Sequence, residues 1–501
     1  MPARARIGLL AGPLLLALAC ILPPPEGLPP AGWRTAGLAA WMAAWWVTEP
    51  VPLAVTSLLP LPLLPLLDVA DVDAAAAPYA NPVVFLFLGG FLLALGMQRS
   101  GLHQRLALGV LRRIGTGPAA VVGGFMAATA FVSLWVSNTA TTLLILPLGL
   151  SVVGLLPQHD AARDSEARRF SAAVTLGIAY AASIGGLGTL VGTPPNALAA
   201  GYVASAHGIE LGFARWMLVG MPVVLVGLPL AWLTLVRVVF RIPWRAPDPA
   251  GTGAHAPGSS ASDSIWTALA RAVPSASATQ GRATPAERRV AAVFVVAAVL
   301  WVARPLLERV VPGLTDPAIA IAAGLVLFVV PAGGGERGAL LDWTWAQPRL
   351  PWDVLLLFGG GLSLAAAFEA SGLAAWVGRS AGALGVLPPV LLVAAIAAVV
   401  VFLSELASNT ATAALFLPIS GALAEGLARH PLELVVPTTL AASCGFMLPV
   451  ATPPNAIAYG TRSVTVGEMA RAGLLLDLLF VVLVTAASFL LVPAVFGGAG
   501  S

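Results

Sequence analysis

SNTATTLLILP (residues 137–147) and SNTATAALFLP (residues 408–418) stand 271 positions apart and agree at eight of eleven residues. Each lies in the middle of an apolar stretch. Agreement of this kind marks an internal duplication, and the match extends outward. FLGGFLLALGMQRSGL (87–102) aligns with FGGGLSLAAAFEASGL (358–373) at the same offset, with eight of sixteen positions identical. GTPPNALAAG (192–201) aligns with ATPPNAIAYG (451–460) at an offset of 259, with seven of ten identical. The offset drops by twelve, largely because the polar loop PQHDAARDSEARR (157–169) is matched only by the shorter EGLARHPLE (425–433).

The surroundings of these motifs are those of a membrane. Of 501 residues, 58% are hydrophobic and 10% charged, and mean hydropathy is +0.91. A soluble chain carries about 25% charged residues, so the bulk of this one belongs in lipid. All 26 basic residues are arginine, and the net charge is +3. The arginines fall in loops between apolar segments, which suits membrane topology and argues against nucleic-acid binding. Cys20 and Cys444 are isolated and the five histidines scattered, which leaves no disulfide framework and no Cys/His metal site. A chain without lysine also lacks a phosphate-binding G-x-x-x-x-G-K-[ST] loop, which excludes an ATP-driven pump.

Apolar segments long enough to span, about 20 residues each, fall near 7–22, 33–49, 51–67, 82–98, 170–203, 213–240, 290–310, 317–332, 352–368, 433–460 and 472–495. Two more, 118–156 and 388–424, contain the Ser-Asn-Thr motifs. The expected fold is an all-α polytopic membrane protein of about 11 transmembrane helices plus two re-entrant hairpins. The basic, apolar start MPARARIGLLAGPLLLALAC reads as an uncleaved first span with Arg4 and Arg6 in the cytoplasm. GLHQRLALGVLRRIG (101–115) carries charges at helical spacing and lies in the interface plane. The Pro/Gly/Ser/Ala-rich stretch 243–288 is a cytoplasmic flexible linker.

Arginine placement sets orientation. Arg99, Arg105, Arg112 and Arg113 precede the first Ser-Asn-Thr segment and Arg163, Arg168 and Arg169 follow it, so both flanks face the cytoplasm. A chain that enters and leaves on one side is a hairpin with Ser-Asn-Thr at its tip. The second segment is flanked only by Arg379 and Arg429, and five spans separate the two, so the second copy is inverted and opens outside. The acidic loop at Asp68, Asp71 and Asp73 then falls outside, as does the C-terminus. Arg304 and Arg309 run against this count, which puts them near the outer face.

Asn and Thr are weak helix formers, and Thr-Pro-Pro-Asn cannot continue a helix. Each motif therefore breaks a helix at membrane depth, where irregular backbone survives only if protein or a water-filled cavity covers it. Opened carbonyls suit a cation; hydroxyls, the Asn amide and half-helix N-termini suit an anion. Four such breaks in two mirrored pairs point to a solute site near the midplane. A single break would serve packing and kinking alone.

WWVTEPVPLAVTSLLPLPLLPLL (45–67), FLGGFLLALGMQRSGLHQR (87–105) and the two pairs of motifs resemble the divalent anion:sodium symporter family, whose members carry dicarboxylates, citrate or sulfate. The resemblance covers nearly the whole chain except the linker. It implies one sodium site at Ser133, Ser137, Asn138 and Gly192, and another at Ser404, Ser408, Asn409 and Ala451. It implies substrate contacts from Ser137, Asn138, Thr139, Thr193, Ser408, Asn409, Thr410, Thr452 and Pro453. It also implies a homodimer in a bacterial inner membrane, with a fixed scaffold and a moving transport domain. On that plan 1–98, 213–242 and 289–370 are scaffold, 99–117 and 371–387 interfacial helices, 118–212 and 388–460 the transport repeats, and 461–501 the last span. The function implied is sodium-coupled import of a C4-type dicarboxylate, with no organic cofactor. A sodium-independent exchanger, a sulfate carrier and, from another class, a non-transporting scaffold or receptor are the alternatives.

Two acids stand out. Glu405 occupies the place of Leu134 in the first copy; it either acts on cations or protons or supports backbone. Glu49, at a span end outside the repeats, reads as a scaffold residue.

Overall fold

The computed structural model describes residues 3–111, 117–154, 161–244, 282–334 and 336–497. Among them the chain is almost entirely helical, and proline sets where helices start. Pro30, Pro60, Pro82, Pro118, Pro194, Pro285, Pro389 and Pro453 each open a helix. At that position the missing N–H would have had no partner and the fixed φ is already helical.

Unbroken spans are Ala3–Ile21, Pro30–Thr48, Pro82–Ser100, Phe213–Leu233, Pro285–Leu307, Asp316–Val329, Trp352–Ala370 and Val466–Phe496. The third expected span is two short helices, Leu53–Thr56 and Pro60–Leu66, because four prolines between 52 and 65 interrupt it. Two more are broken: Ala161–Gly186 with Pro194–His207, and Leu432–Ala442 with Pro453–Gly460. These elements make eleven crossings among the described residues. The hairpins are Pro118–Ser133 with Asn138–Gly154 and Pro389–Ser404 with Asn409–Gly426. Helices Leu102–Leu111 and Leu373–Ser380 precede the two hairpins. The only strands among the described residues are an antiparallel pair, Pro331–Gly333 with Glu336–Ala339.

Part of the expected linker, 245–281, lies outside the described residues. Its last residues are helical instead. Thr284 and Glu287 form a capping box, Glu287 N donating to Thr284 Oγ1 at 3.1 Å and Thr284 N to Glu287 Oε2 at 2.6 Å, which starts the next span at Pro285. Arg112 and Arg113 also lie outside the described residues. Arg168 stands in the helix from Ala161, bonded to Glu468 at 2.7 Å.

Burial separates an inner body from a rim. Residues 172–174 and 178–182 of the first broken helix, and Leu432 with 434–442 of the second, are buried, whereas Val295, Val296, Val299, Val302 and Leu306 of Pro285–Leu307 are exposed. The helices approach closely at glycines: Gly185 lies on the Ala130 backbone and Gly473 on that of Met447. Small contact residues of this kind let helices associate in lipid.

Arg304, which ran against the orientation count, is not a free charge. It pairs with Glu210, with Asp316 at 3.4 Å and Glu308 at 3.5 Å, and donates to Leu314 O at 3.2 Å. Asp316 in turn accepts the Phe213 N–H at 2.7 Å. A buried arginine neutralised by carboxylates carries little weight in a rule about loop charge. Arg309 remains exposed.

Candidate functional site

Each hairpin turns where the sequence changes from Leu, Val and Ala to Ser-Asn-Thr. In the first, Pro118–Ser133 ends and the return limb begins at Asn138, with Thr141 N bonded to Ser137 O at 2.9 Å. In the second, Ser408 sits just before Asn409, and Thr412 N bonds Ser408 O at 2.9 Å. Both tips thus present N–H groups of a helical first turn, with Ala140 N capped by Ser137 Oγ at 3.4 Å in the first.

Behind each tip three oxygens converge. Ser133 Oγ lies 2.8 Å from Asn138 Oδ1 and 2.7 Å from Ala182 O. Ser404 Oγ lies 2.8 Å from Asn409 Oδ1 and 2.7 Å from Ala442 O. A hydroxyl has one proton, so it satisfies one of these acceptors and leaves the other oxygens free to face a cation. Hard, oxygen-only donor sets of this kind suit an alkali or alkaline-earth ion. Ser133 and Ser404 are fully buried, while Ser137, Asn138, Ser408 and Asn409 are half-buried.

The breaks face the tips. Thr193 and Thr452 are extended, at φ −144° and −139°, immediately before the helices that open at Pro194 and Pro453. Thr452 Oγ1 accepts the Asn455 N–H at 3.2 Å, whereas Thr193 makes no such cap. A methyl added at Gly186 would fall 2.6 Å from Asn138 Oδ1 and 3.1 Å from Gly192 O. The space beside Gly186 is therefore bounded by oxygens of two of the residues, Asn138 and Gly192, that the family resemblance implies for one cation.

All these elements meet at a cavity of about 690 Å³. Ser137, Asn138, Thr139, Gly192 and Thr193 line it from the first repeat, and Ser408, Asn409, Thr410, Ala451, Thr452 and Pro453 from the second. Leu53, Phe87, Phe91, Val354 and Leu357 are among the apolar residues of the wall, and Glu49 and Asp353 are its ionisable residues. No arginine or histidine lines it among the described residues. Ser133 and Ser404 are not among the lining residues and are bonded to the two asparagines that are. Glu49 caps Pro30–Thr48 at φ 48° and borders the cavity rather than either tip.

The model of the sodium:sulfate symporter transmembrane region matches residues 5–494. The chain belongs to this symporter family. It is thus an integral membrane transporter and not an enzyme. Two relatives described as sodium-dependent dicarboxylate transporter SdcS come from Staphylococcus saprophyticus, at 39% identity, and Staphylococcus aureus USA300, at 38%. Each alignment spans 497 residues, 98% of this chain and 92% of the relative. The crystal structure of the Alcanivorax borkumensis YdaH transporter, described as having an unusual topology, shares the fold with a TM-score of 0.56 over 99% of both chains at 14% identity.

In this symporter Glu405 supports backbone. Its carboxylate accepts the N–H groups of Met447 and Leu448, both at 2.7 Å. Asp477, from the last span, accepts the neighbouring Phe446 N–H at 3.2 Å. The first repeat holds its break by other means: Thr189 Oγ1 donates to Leu134 O at 2.5 Å and Trp216 Nε1 to Leu187 O at 3.0 Å. Sequence reasoning missed Asp477. The signal was present, since it is the lone acid in the apolar stretch 472–495.

Proposed function

We propose that this symporter imports a C4-type dicarboxylate of the succinate, malate and fumarate class, driven by sodium. The observation that carries the reading is the pair of Ser–Asn–carbonyl clusters, equal in their distances, beside a cavity without a basic side chain. A dianion there meets hydroxyls, amides and helix ends, each end worth roughly half an elementary charge. Two otherwise uncompensated charges at membrane depth cost several kcal/mol or more. One sodium at Ser133, Ser137, Asn138 and Gly192 and one at Ser404, Ser408, Asn409 and Ala451 would neutralise it. Ser137, Asn138, Thr139, Thr193 and their counterparts Ser408, Asn409, Thr410, Thr452 and Pro453 would hold the anion. The two relatives named for sodium-dependent dicarboxylate transport support this assignment.

The repeats at 118–212 and 388–460 form the transport domain of an elevator-like carrier, and the remaining spans its scaffold. The protein sits as a homodimer in a bacterial inner membrane, N-terminus inside and C-terminus outside. In that orientation Glu49 and Asp353 lie at cytoplasmic span ends, so the cavity opens inward.

The test is uptake of labelled succinate into proteoliposomes with and without a sodium gradient, ionic strength being held with choline. Uptake should require sodium, with a Hill coefficient above one. Tight succinate binding and exchange indifferent to sodium would replace this reading with the exchanger. Strong competition by sulfate would move the substrate class.

A further inference from the structure

The fourth residue of each Thr-Pro-Pro-Asn motif takes no part in the cavity wall, yet both copies are fully buried. Asn196 Nδ2 donates to Thr189 O at 2.8 Å and Gly186 O at 3.0 Å, with Leu187 O at 3.4 Å. Asn455 Nδ2 donates to Leu448 O at 3.0 Å and Gly445 O at 3.2 Å. Those partners correspond at the motif's own offset of 259, so the contact pattern was duplicated with the motif.

Gly186 ends the first helix, and Gly445 lies three residues past the end of the second at Ala442; Thr189 O and Leu448 O lie within the breaks and each also accepts a loop N–H, from Gly192 at 3.3 Å and Ala451 at 3.2 Å. An amide NH₂ offers two donors in one plane, so a single side chain gathers two carbonyls three residues apart and folds the break into a closed loop. A carboxylate would oppose oxygen to oxygen. Among the described residues no protein donor meets Asn196 Oδ1 or Asn455 Oδ1. Flipping the amide to relieve that atom would set it against the gathered carbonyls, so the loop imposes the orientation.

The loop so closed carries Gly192 in the first repeat and Ala451 in the second, and Gly186 O and Gly192 O both border its inner space. We propose that Asn196 and Asn455 are positioning residues for the two cation sites. Neither touches the ion or the substrate. Each holds a break in the shape that aims its backbone oxygen at the neighbouring Asn138 or Asn409. This rests on the sodium reading above.

The experiment measures sodium-dependent succinate uptake, and sodium-induced thermal stabilisation of the purified full-length protein without substrate, for wild type, Asn196→Asp, Asn455→Asp and the double variant. Supporting partners of a metal site typically change affinity by roughly 10–100-fold. Half-saturating sodium should rise by about that factor in each single variant. The maximal rate at saturating sodium should stay within about threefold, and the double variant should lose the thermal response. A half-saturation unchanged within about twofold, or a lost maximal rate at unchanged sodium affinity, would overturn the inference while leaving the sodium reading intact. Wild-type protein indifferent to sodium would sink both. If the Asp variants do not reach the membrane, Asn196→Ala and Asn455→Ala give the same comparison without forcing a carboxylate against the carbonyls.

Discussion

Glycines 186 and 445 occupy equivalent places in the two repeats, yet an added methyl meets different surroundings. At Gly186 the new Cβ would lie 2.6 Å from Asn138 Oδ1, 3.1 Å from Gly192 O and 3.2 Å from Thr193 Cβ. Asn138 Oδ1 cannot give way freely, because Ser133 Oγ holds it at 2.8 Å. At Gly445 the nearest atom is Ala451 Cβ at 3.2 Å, followed by Glu405 Oε1 and Ser404 O at 3.5 Å. Asn409 Oδ1 is not among these three. Gly186→Ala should therefore displace one oxygen of the first cation site. A hydrogen bond to a charged group contributes about 1.5–3 kcal/mol, and each 1.4 kcal/mol is about tenfold in affinity, so half-saturating sodium should rise roughly 10–150-fold. Gly445→Ala needs only a shift of a few tenths of an ångström and should change it by about threefold or less. Neither glycine has a positive φ, so the alanine backbone is unstrained. The assay is the sodium dependence of succinate uptake in proteoliposomes at constant ionic strength. Equal damage from both substitutions, or none from Gly186→Ala, would refute the reasoning.

Replacing Asn138 or Asn409 with Ala should abolish transport and leave a folded membrane protein, judged by uptake and by gel filtration in detergent. Glu405→Leu should cost about 2–6 kcal/mol of stability, because the N–H groups of Met447 and Leu448 lose their acceptor and each such loss costs about 1–3 kcal/mol; chemical denaturation in detergent reads this directly. In a background lacking Cys20 and Cys444, single cysteines in the 157–169 and 425–433 loops should react with an impermeant reagent from opposite sides. Reaction from one side would contradict the inverted repeat.

The tips were legible because their chemistry is written in consecutive residues. Ser-Asn-Thr and Thr-Pro-Pro-Asn announce themselves against an apolar background, and their duplication told the site from a packing kink. The cavity is lined by Ser137, Asn138, Thr139, Ser408, Asn409 and Thr410. What the sequence could not display is how each break is held. Thr189, Trp216, Glu405 and Asp477 serve that end through bonds to backbone groups tens of residues away, and such partners are set by packing rather than by local pattern. Glu405 drew two readings for that reason: an acid in an apolar run signals importance without saying what it bonds to. Arg304 ran against the orientation count, and its neutralising partners, which include Glu210, 94 positions away, could not be read from local sequence.

The knot around Arg304 also limits travel. Glu210 and the Phe213 N–H are moored to Arg304 and Asp316, while Ile209 N is bonded back to Val203 O at 3.0 Å and so moves with the helix Pro194–His207. Three residues separate the end of that helix at His207 from Glu210. Three residues reach roughly 10 Å at full stretch, so the His207 end is on a short leash. In the elevator-like movement proposed above, the transport body would be tethered at this corner, and the largest excursion would fall to whatever lies farthest from it.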